Sequence, residues 1–203
     1  MSNLMSQGTF YTTDMGTPLR IAQVLGLTTS AFLAGKTFAV SFGTVPALLH
    51  APVPLLAKQI DDVFQADLII NPVLVALGTG VFGYFAYRDP NRGSPAHILY
   101  TTSSILLASV FPYSLLFLHP ITEKLTRKAH SLSCASLTDT AIESGVAKEE
   151  TTHALVDKWA TVNLGRTVLS TLAAVTATWA AVDRLEVVPA AVRLGGGAGR
   201  MGK

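Results

Sequence analysis

Four long stretches of the chain are almost free of charge, separated by short clusters rich in proline, glycine and charged residues. Ile21 to Phe42 is apolar or small except for Gln23 and Lys36. Leu68 to Tyr87 carries no charge and ends in Tyr84, Phe85 and Tyr87; Ile98 to Leu118 is uncharged with Pro112 inside it. A helix expected to begin near Lys148 runs into a fourth apolar stretch that ends near Val182, before Asp183 and Arg184. Runs of about 20 apolar residues match the thickness of a bilayer's hydrocarbon core at about 1.5 Å rise per residue. The pattern predicts an all-α integral membrane four-helix bundle with both termini on one side.

The connections refine that picture. Pro46, Pro52 and Pro54 are expected to end the first span, since each lacks a backbone donor and restricts its predecessor. Val53 to Ala66 places Leu56, Ile60, Val63 and Phe64 opposite Lys58, Gln59, Asp61 and Asp62, as in a short amphipathic helix on the membrane surface. Arg88 to Gly93 reads as a tight polar turn that makes spans two and three antiparallel neighbours. Pro112 is expected to kink the third span. His119 to Lys158 is expected to form the one long extramembrane loop-helix segment. The chain thus divides into a polar N-terminal segment (1–20), a four-span membrane domain (21–187) and a flexible glycine-rich tail (188–203). The first twenty residues lack the basic region of a signal peptide and the arginine-rich pattern of a transit peptide, so the first span is expected to act as its own insertion signal. Basic residues divide almost evenly between the two sides, with a slight lean toward cytoplasmic termini.

Composition agrees. Of 203 residues, 49% are hydrophobic and 14% charged, against about 25% charged in soluble domains; mean hydropathy is +0.42. The net charge of +2 and the lack of a Lys/Arg stripe give no footprint for nucleic acid. Cys134, the single cysteine, excludes an internal disulfide and a cysteine-built zinc site. The expected partner is the lipid bilayer, with a homo-oligomer left open.

Two motif matches carry little. Gly78-Thr79-Gly80-Val81-Phe82-Gly83 fits G-x-G-x-x-G, but inside an uncharged span rather than after a strand. There, small residues at Ala76, Gly80 and Gly83 are expected to let a neighbouring helix approach. Glu150-Thr151-Thr152-His153 is half of a di-iron motif whose second copy is missing. No metal is therefore expected.

Polar residues in or near the spans are the better candidates. Lys36 lies about two turns inside the first span, where it either snorkels to an interface or serves a site. Trp159, Asn163 and Arg166 recur at i, i+4 and i+7, on one face where the fourth span begins. An aromatic belt and headgroup anchor would explain the tryptophan and arginine, but not the amide between them. His119, closing the third span, and His50, following the first, fall on the same membrane side. Convergence of His50, His119, Asn163 and Arg166 would make a polar pocket.

The stretch Trp159-Ala160-Thr161-Val162-Asn163-Leu164-Gly165-Arg166 resembles the W-x-x-x-N-x-x-R signature of the anthrone oxygenase-like family, small and often fungal membrane proteins that include noranthrone monooxygenases. Ser41-Phe42-Gly43-Thr44-Val45-Pro46-Ala47-Leu48-Leu49, Leu55-Leu56-Ala57-Lys58-Gln59 and Phe111-Pro112-Tyr113 fit the same pattern, so the likeness runs from about Ile21 to Val182. It implies oxidation of an anthrone-type aromatic polyketide to a quinone by dioxygen, without metal, flavin or other cofactor. Arg166 and Asn163 would then hold the enolate oxygen, His119 or His50 would be the base, and Trp159, Tyr113 and Lys36 would bind substrate. Where the family commonly has Pro-Thr-Asn after the third span, this chain reads Pro120-Ile121-Thr122, which points to another substrate or to a fold kept without the chemistry. The alternative is a non-catalytic multi-span protein, a bundle subunit or organelle membrane factor with helix faces packed shut; on either reading the expected location is an intracellular membrane, the endoplasmic reticulum or mitochondrion.

Overall fold

A computed structural model describes residues 16–133, 136 and 145–186, with backbone alone for 184–186. Cys134, the N-terminal segment to residue 15 and the glycine-rich tail lie outside the described residues. The described chain is helical: α1 (Thr17–Ala39), a π turn (Val40–Thr44), α2 (Val45–Leu48), α3 (Val53–Arg88), α4 (Pro95–Tyr113), a second π turn (Ser114–Leu118), α5 (His119–Ser131), a 3-10 turn (Lys148–Glu150) and α6 (Thr152–Glu186). α1 with α2, and α4 with α5, run on as single rods of 32 and 37 residues, beside α3 with 36 and α6 with 35. These make a four-helix bundle in which α1 packs on α3 and α6, and α4 packs on α3 and α6.

Three of the rods, Thr17–Leu48, Val53–Arg88 and Pro95–Ser131, are long and apolar enough to cross a membrane. α6 falls outside that class, yet it turns a stripe of large apolar side chains outward (Val168, Leu172, Val175, Trp179, Val182) and buries Ser170, Ala173, Ala177 and Ala180. Small residues inside and large apolar ones outside is the arrangement of a helix whose solvent is lipid.

The rods exceed the membrane. At about 1.5 Å per residue, 32 to 37 residues reach about 48–55 Å, against about 30 Å of hydrocarbon. The excess lies at one end, where a second core forms from Leu56, Ile60, Phe64, Leu118, Leu125, Val156 and Trp159. This corrects two expectations. Val53 to Ala66 is the first third of α3, continuous with the span, and its apolar face packs on α5 and α6. His119 opens a further 13 residues of helix, α5, so the segment expected to be loop before its helix near Lys148 begins as helix.

Proline explains the two π turns. Pro46 and Pro120 have no N–H for the carbonyls of Phe42 and Leu116, four residues back, and both carbonyls fall inside the π turns. The helix widens instead: Val45 N–H donates to Val40 O and His119 N–H to Ser114 O, five residues back. The expected break at Pro46 is therefore a widening, and the chain turns only at Leu49 to Pro52. Pro112 lies within α4, just before the second π turn.

The glycines of α3 divide differently from expectation. Gly78 faces Leu107 and Gly83 faces Ser104 on α4, so these two permit close approach, whereas Gly80 meets open space and Ala76 is exposed. The tight connection holds: Ser94 caps α4 by accepting from His97 N–H at 3.0 Å, and Asp89 receives the Ser94 hydroxyl at 3.0 Å.

The antiparallel rods predict that Asn91 and Lys124, both exposed, lie on opposite membrane faces. Single-cysteine variants at each, with Cys134 replaced, should label from opposite sides of sealed vesicles. Labelling of both from one side would rule out this topology.

Candidate active site

Trp159, Asn163 and Arg166 do share a face of α6, and it points inward: they are 1%, 1% and 6% exposed. Asn163 works as a coupler between helices. Its Nδ2 donates to Thr37 O at 3.1 Å and to Ser41 Oγ at 2.9 Å, and the Ser41 hydroxyl donates to Ala160 O at 3.1 Å. Ser41 reaches α6 from the first π turn. The Asn163 carbonyl accepts from Arg166 at 3.3 Å, and the same guanidinium nitrogen stands 3.9 Å from Asp67 Oδ2.

Asp67 lies at the centre of the charged group. Its other oxygen is paired with Lys36, and Lys36 also donates to Asn71 Oδ1 at 2.9 Å. Lys36 thus ties α1 to α3 through an ion pair, and Asp67 ties both to α6. Two cations face one carboxylate, so this largely buried cluster carries a local excess of one positive charge. In a medium of low dielectric an uncompensated charge is costly, and an anion placed beside it is correspondingly stabilised.

Such a place exists next to the cluster. A cleft of about 190 Å³ lies between α3 and the rod of α4 and α5, with Trp159 and Arg166 of α6 at its back. Its walls are mostly apolar, including Phe64, Val75, Val110 and Leu118; Asp67, Asn71, Ser114, His119 and Thr122 supply the polar groups. Leu68, Phe111 and Leu115 line it while standing at the outer surface, so the cleft opens sideways between the rods. It sits where the uncharged runs of α3 and α6 begin, at the join of the two cores. The second π turn forms one wall, presenting Ser114, Leu115 and Leu118.

Of the seven side chains singled out from sequence, Trp159, Arg166 and His119 line the cleft. Trp159 is fixed by its indole N–H donating to Thr122 Oγ1 at 3.0 Å and by the Phe64 ring at 5.0 Å. Thr122, part of the divergent Pro120-Ile121-Thr122 element, therefore orients a wall of the cleft. Asn163 and Lys36 do not line the cleft; they brace Arg166 and Asp67, which do. Tyr113 also stands outside it. Its hydroxyl donates to Val162 O at 2.8 Å, and a Cβ on Gly165 would overlap its ring, so the pair forms a close helix contact. His50 is exposed in the turn after α2 and away from the cleft walls. Of the half-motif Glu150 to His153, His153 faces Ala51 O at 3.1 Å, and among the described residues no group of three His, Cys, Asp or Glu is placed to hold a metal ion.

Asp67 and Asn71 are the site residues that sequence reasoning passed over. The signal was there: a lysine inside a span needs a counter-charge at its own depth. Antiparallel pairing of the first two spans brings the end of one beside the start of the other, where Asp67 is the nearest acid.

The family model described as Anthrone oxygenase matches residues 61–176, more than half of the chain, and holds Asp67, Asn71, His119, Trp159 and Arg166. Among curated proteins, anthrone oxygenase encC of Aspergillus fumigatus is 25% identical over 148 residues, 68% of this chain and 80% of that protein. No solved structure matches. On the extent of that match, the chain belongs to the anthrone oxygenase family.

Proposed function

We propose that the cleft oxidises an anthrone-type aromatic polyketide to the quinone, with dioxygen as the oxidant. The observation that carries this reading is the excess buried cation at the back of an apolar, laterally open cleft. A bundle serving only as a scaffold needs neither, and the relative from Aspergillus fumigatus is named an anthrone oxygenase.

The reaction suits these groups. Loss of a proton from the anthrone methylene gives an enolate, whose negative oxygen would lie against Arg166. His119 on the wall is the base for that proton. The enolate carbon is electron-rich enough to reduce dioxygen and combine with it, forming a C–O bond and a hydroperoxide. Loss of the second proton from the same carbon, with cleavage of the O–O bond, leaves the quinone and one water. One oxygen atom stays in the product and the other leaves, so no outside reductant is needed. A fixed cation beside the developing oxyanion supplies stabilisation without reorganisation. Trp159 and Phe64 give the cleft an aromatic lining suited to a polycycle. The sideways mouth admits a lipophilic substrate from the bilayer.

Purified protein in detergent should consume one dioxygen per anthrone, faster than the spontaneous rate, and place one labelled atom from ¹⁸O₂ in the quinone. A chelator should leave the rate unchanged. No uptake above the spontaneous rate across several anthrones would refute the assignment; uptake lost on chelation and restored by one metal would refute the metal-free form of it.

A further inference from the structure

Two residues that line the cleft each carry a buried hydrogen-bond donor without a partner, Asn71 at Nδ2 and Arg166 at Nε. The residues are 4% and 6% exposed. Other buried polar atoms without partners occur on Gln59, Thr79, Thr101 and Thr167, but none of those side chains lines the cleft. An unpaired buried donor is unfavourable unless a ligand completes it. Here two such donors come with the excess positive charge and with an opening that a ligand can enter.

The direction of the Asn71 amide is fixed by chemistry. Lys36 has three N–H donors and no acceptor, so the amide atom facing it at 2.9 Å must be the oxygen. The NH₂ group is thereby turned away from Lys36. The remaining guanidinium contacts of Arg166, to Asn163 and toward Asp67, likewise leave Nε free.

We infer that Asn71 Nδ2 and Arg166 Nε form a paired-donor subsite for one carbonyl or enolate oxygen of a polycyclic ligand, with Lys36 as the positioning residue that holds the Asn71 amide in its donating direction. This deepens the proposed function and rests on the cleft being the ligand site. It makes ligands of the same shape distinguishable: a tricyclic ketone or quinone satisfies the donors, and the bare hydrocarbon leaves them orphaned.

The test is equilibrium binding of 9,10-anthraquinone and of anthracene to the full-length protein in detergent, followed by quenching of tryptophan fluorescence. Wild type should prefer anthraquinone by about tenfold or more, the least expected of one neutral and one charge-assisted hydrogen bond. Asn71→Leu should lose most of that preference, read as the ratio of the two affinities in the same variant. Asn71→Asp keeps a partner for Lys36 and protects the fold, but sets an acceptor where the donor was, and should also lose the preference. Lys36→Met should weaken the same ratio. Equal affinity of wild type for the two ligands, or a preference untouched by both Asn71 variants, would overturn the subsite and leave the cleft reading intact. Binding of neither ligand would overturn both.

Discussion

Asp67→Asn should lower the melting temperature of the purified protein by about 6–12 °C. The carboxylate is the shared counter-charge of Lys36 and Arg166, so its neutralisation strands two cations at once. Breaking a buried pair from one side typically costs about 3–5 kcal/mol, and partial exposure of Lys36 argues for the lower figure. For a chain of this size about 1 kcal/mol moves the midpoint by about 2–4 °C. The arrangement also predicts an asymmetry. Lys36→Met removes one cation and leaves Asp67 with Arg166, so it should cost clearly less than Asp67→Asn. The double variant should sit above the sum of the single losses, because the stranded Lys36 charge is gone. Thermal melts of the three variants in one detergent decide it. Equal midpoints for wild type and Asp67→Asn would show that the carboxylate is not the electrostatic centre of the bundle.

The same pair of residues shows what the sequence could and could not tell. The spans were legible because hydrophobic runs of bilayer length have few alternative explanations, and the tight turn at Asp89 to Ser94 followed from its composition. The ends of the rods were not. An amphipathic stretch such as Val53 to Ala66 has the same periodicity whether its apolar face meets headgroups or α5 and α6, and only the tertiary partner separates the two. Pro46 reads as a stop and His119 as the close of the third span, yet π turns absorb the hydrogen bonds missing at Pro46 and Pro120 and carry the helices onward. The Trp159, Asn163 and Arg166 face was legible because helical spacing alone sets it. The division of labour among these residues was not, since it depends on distances across helices far apart in sequence. The resemblance gives Asn163 an oxyanion role, whereas its amide group bridges α6 to Thr37 and Ser41 of the first rod. Topology put His50 and His119 on one membrane side, but sharing a side is weaker than sharing a wall, and only His119 lines the cleft.

Arg166→Leu should lower the anthrone-dependent turnover by about 10²–10³ while leaving a folded bundle. Loss of one preorganised oxyanion donor has that typical effect, and here the lost group also carries the excess charge that makes the cleft receptive to an enolate. The fold should survive because Asp67 keeps Lys36 as its partner, and Asn163 keeps its two donations to Thr37 and Ser41. The packing of Tyr113 against Gly165, one residue away, does not involve the guanidinium. Arg166→Lys separates charge from geometry. Lysine restores a cation near Asp67 but cannot at once reach Asn163 and offer a donor at the Nε position. If charge alone stabilises the enolate, Arg166→Lys should approach wild-type turnover; if the directed donor matters, it should remain well below wild type yet above Arg166→Leu, and the geometry favours the second result. Oxygen uptake of the three proteins, with melts confirming the fold, provides the comparison. Wild-type turnover in a folded Arg166→Leu variant would remove the guanidinium from the chemistry and leave the cleft without its anion-stabilising group.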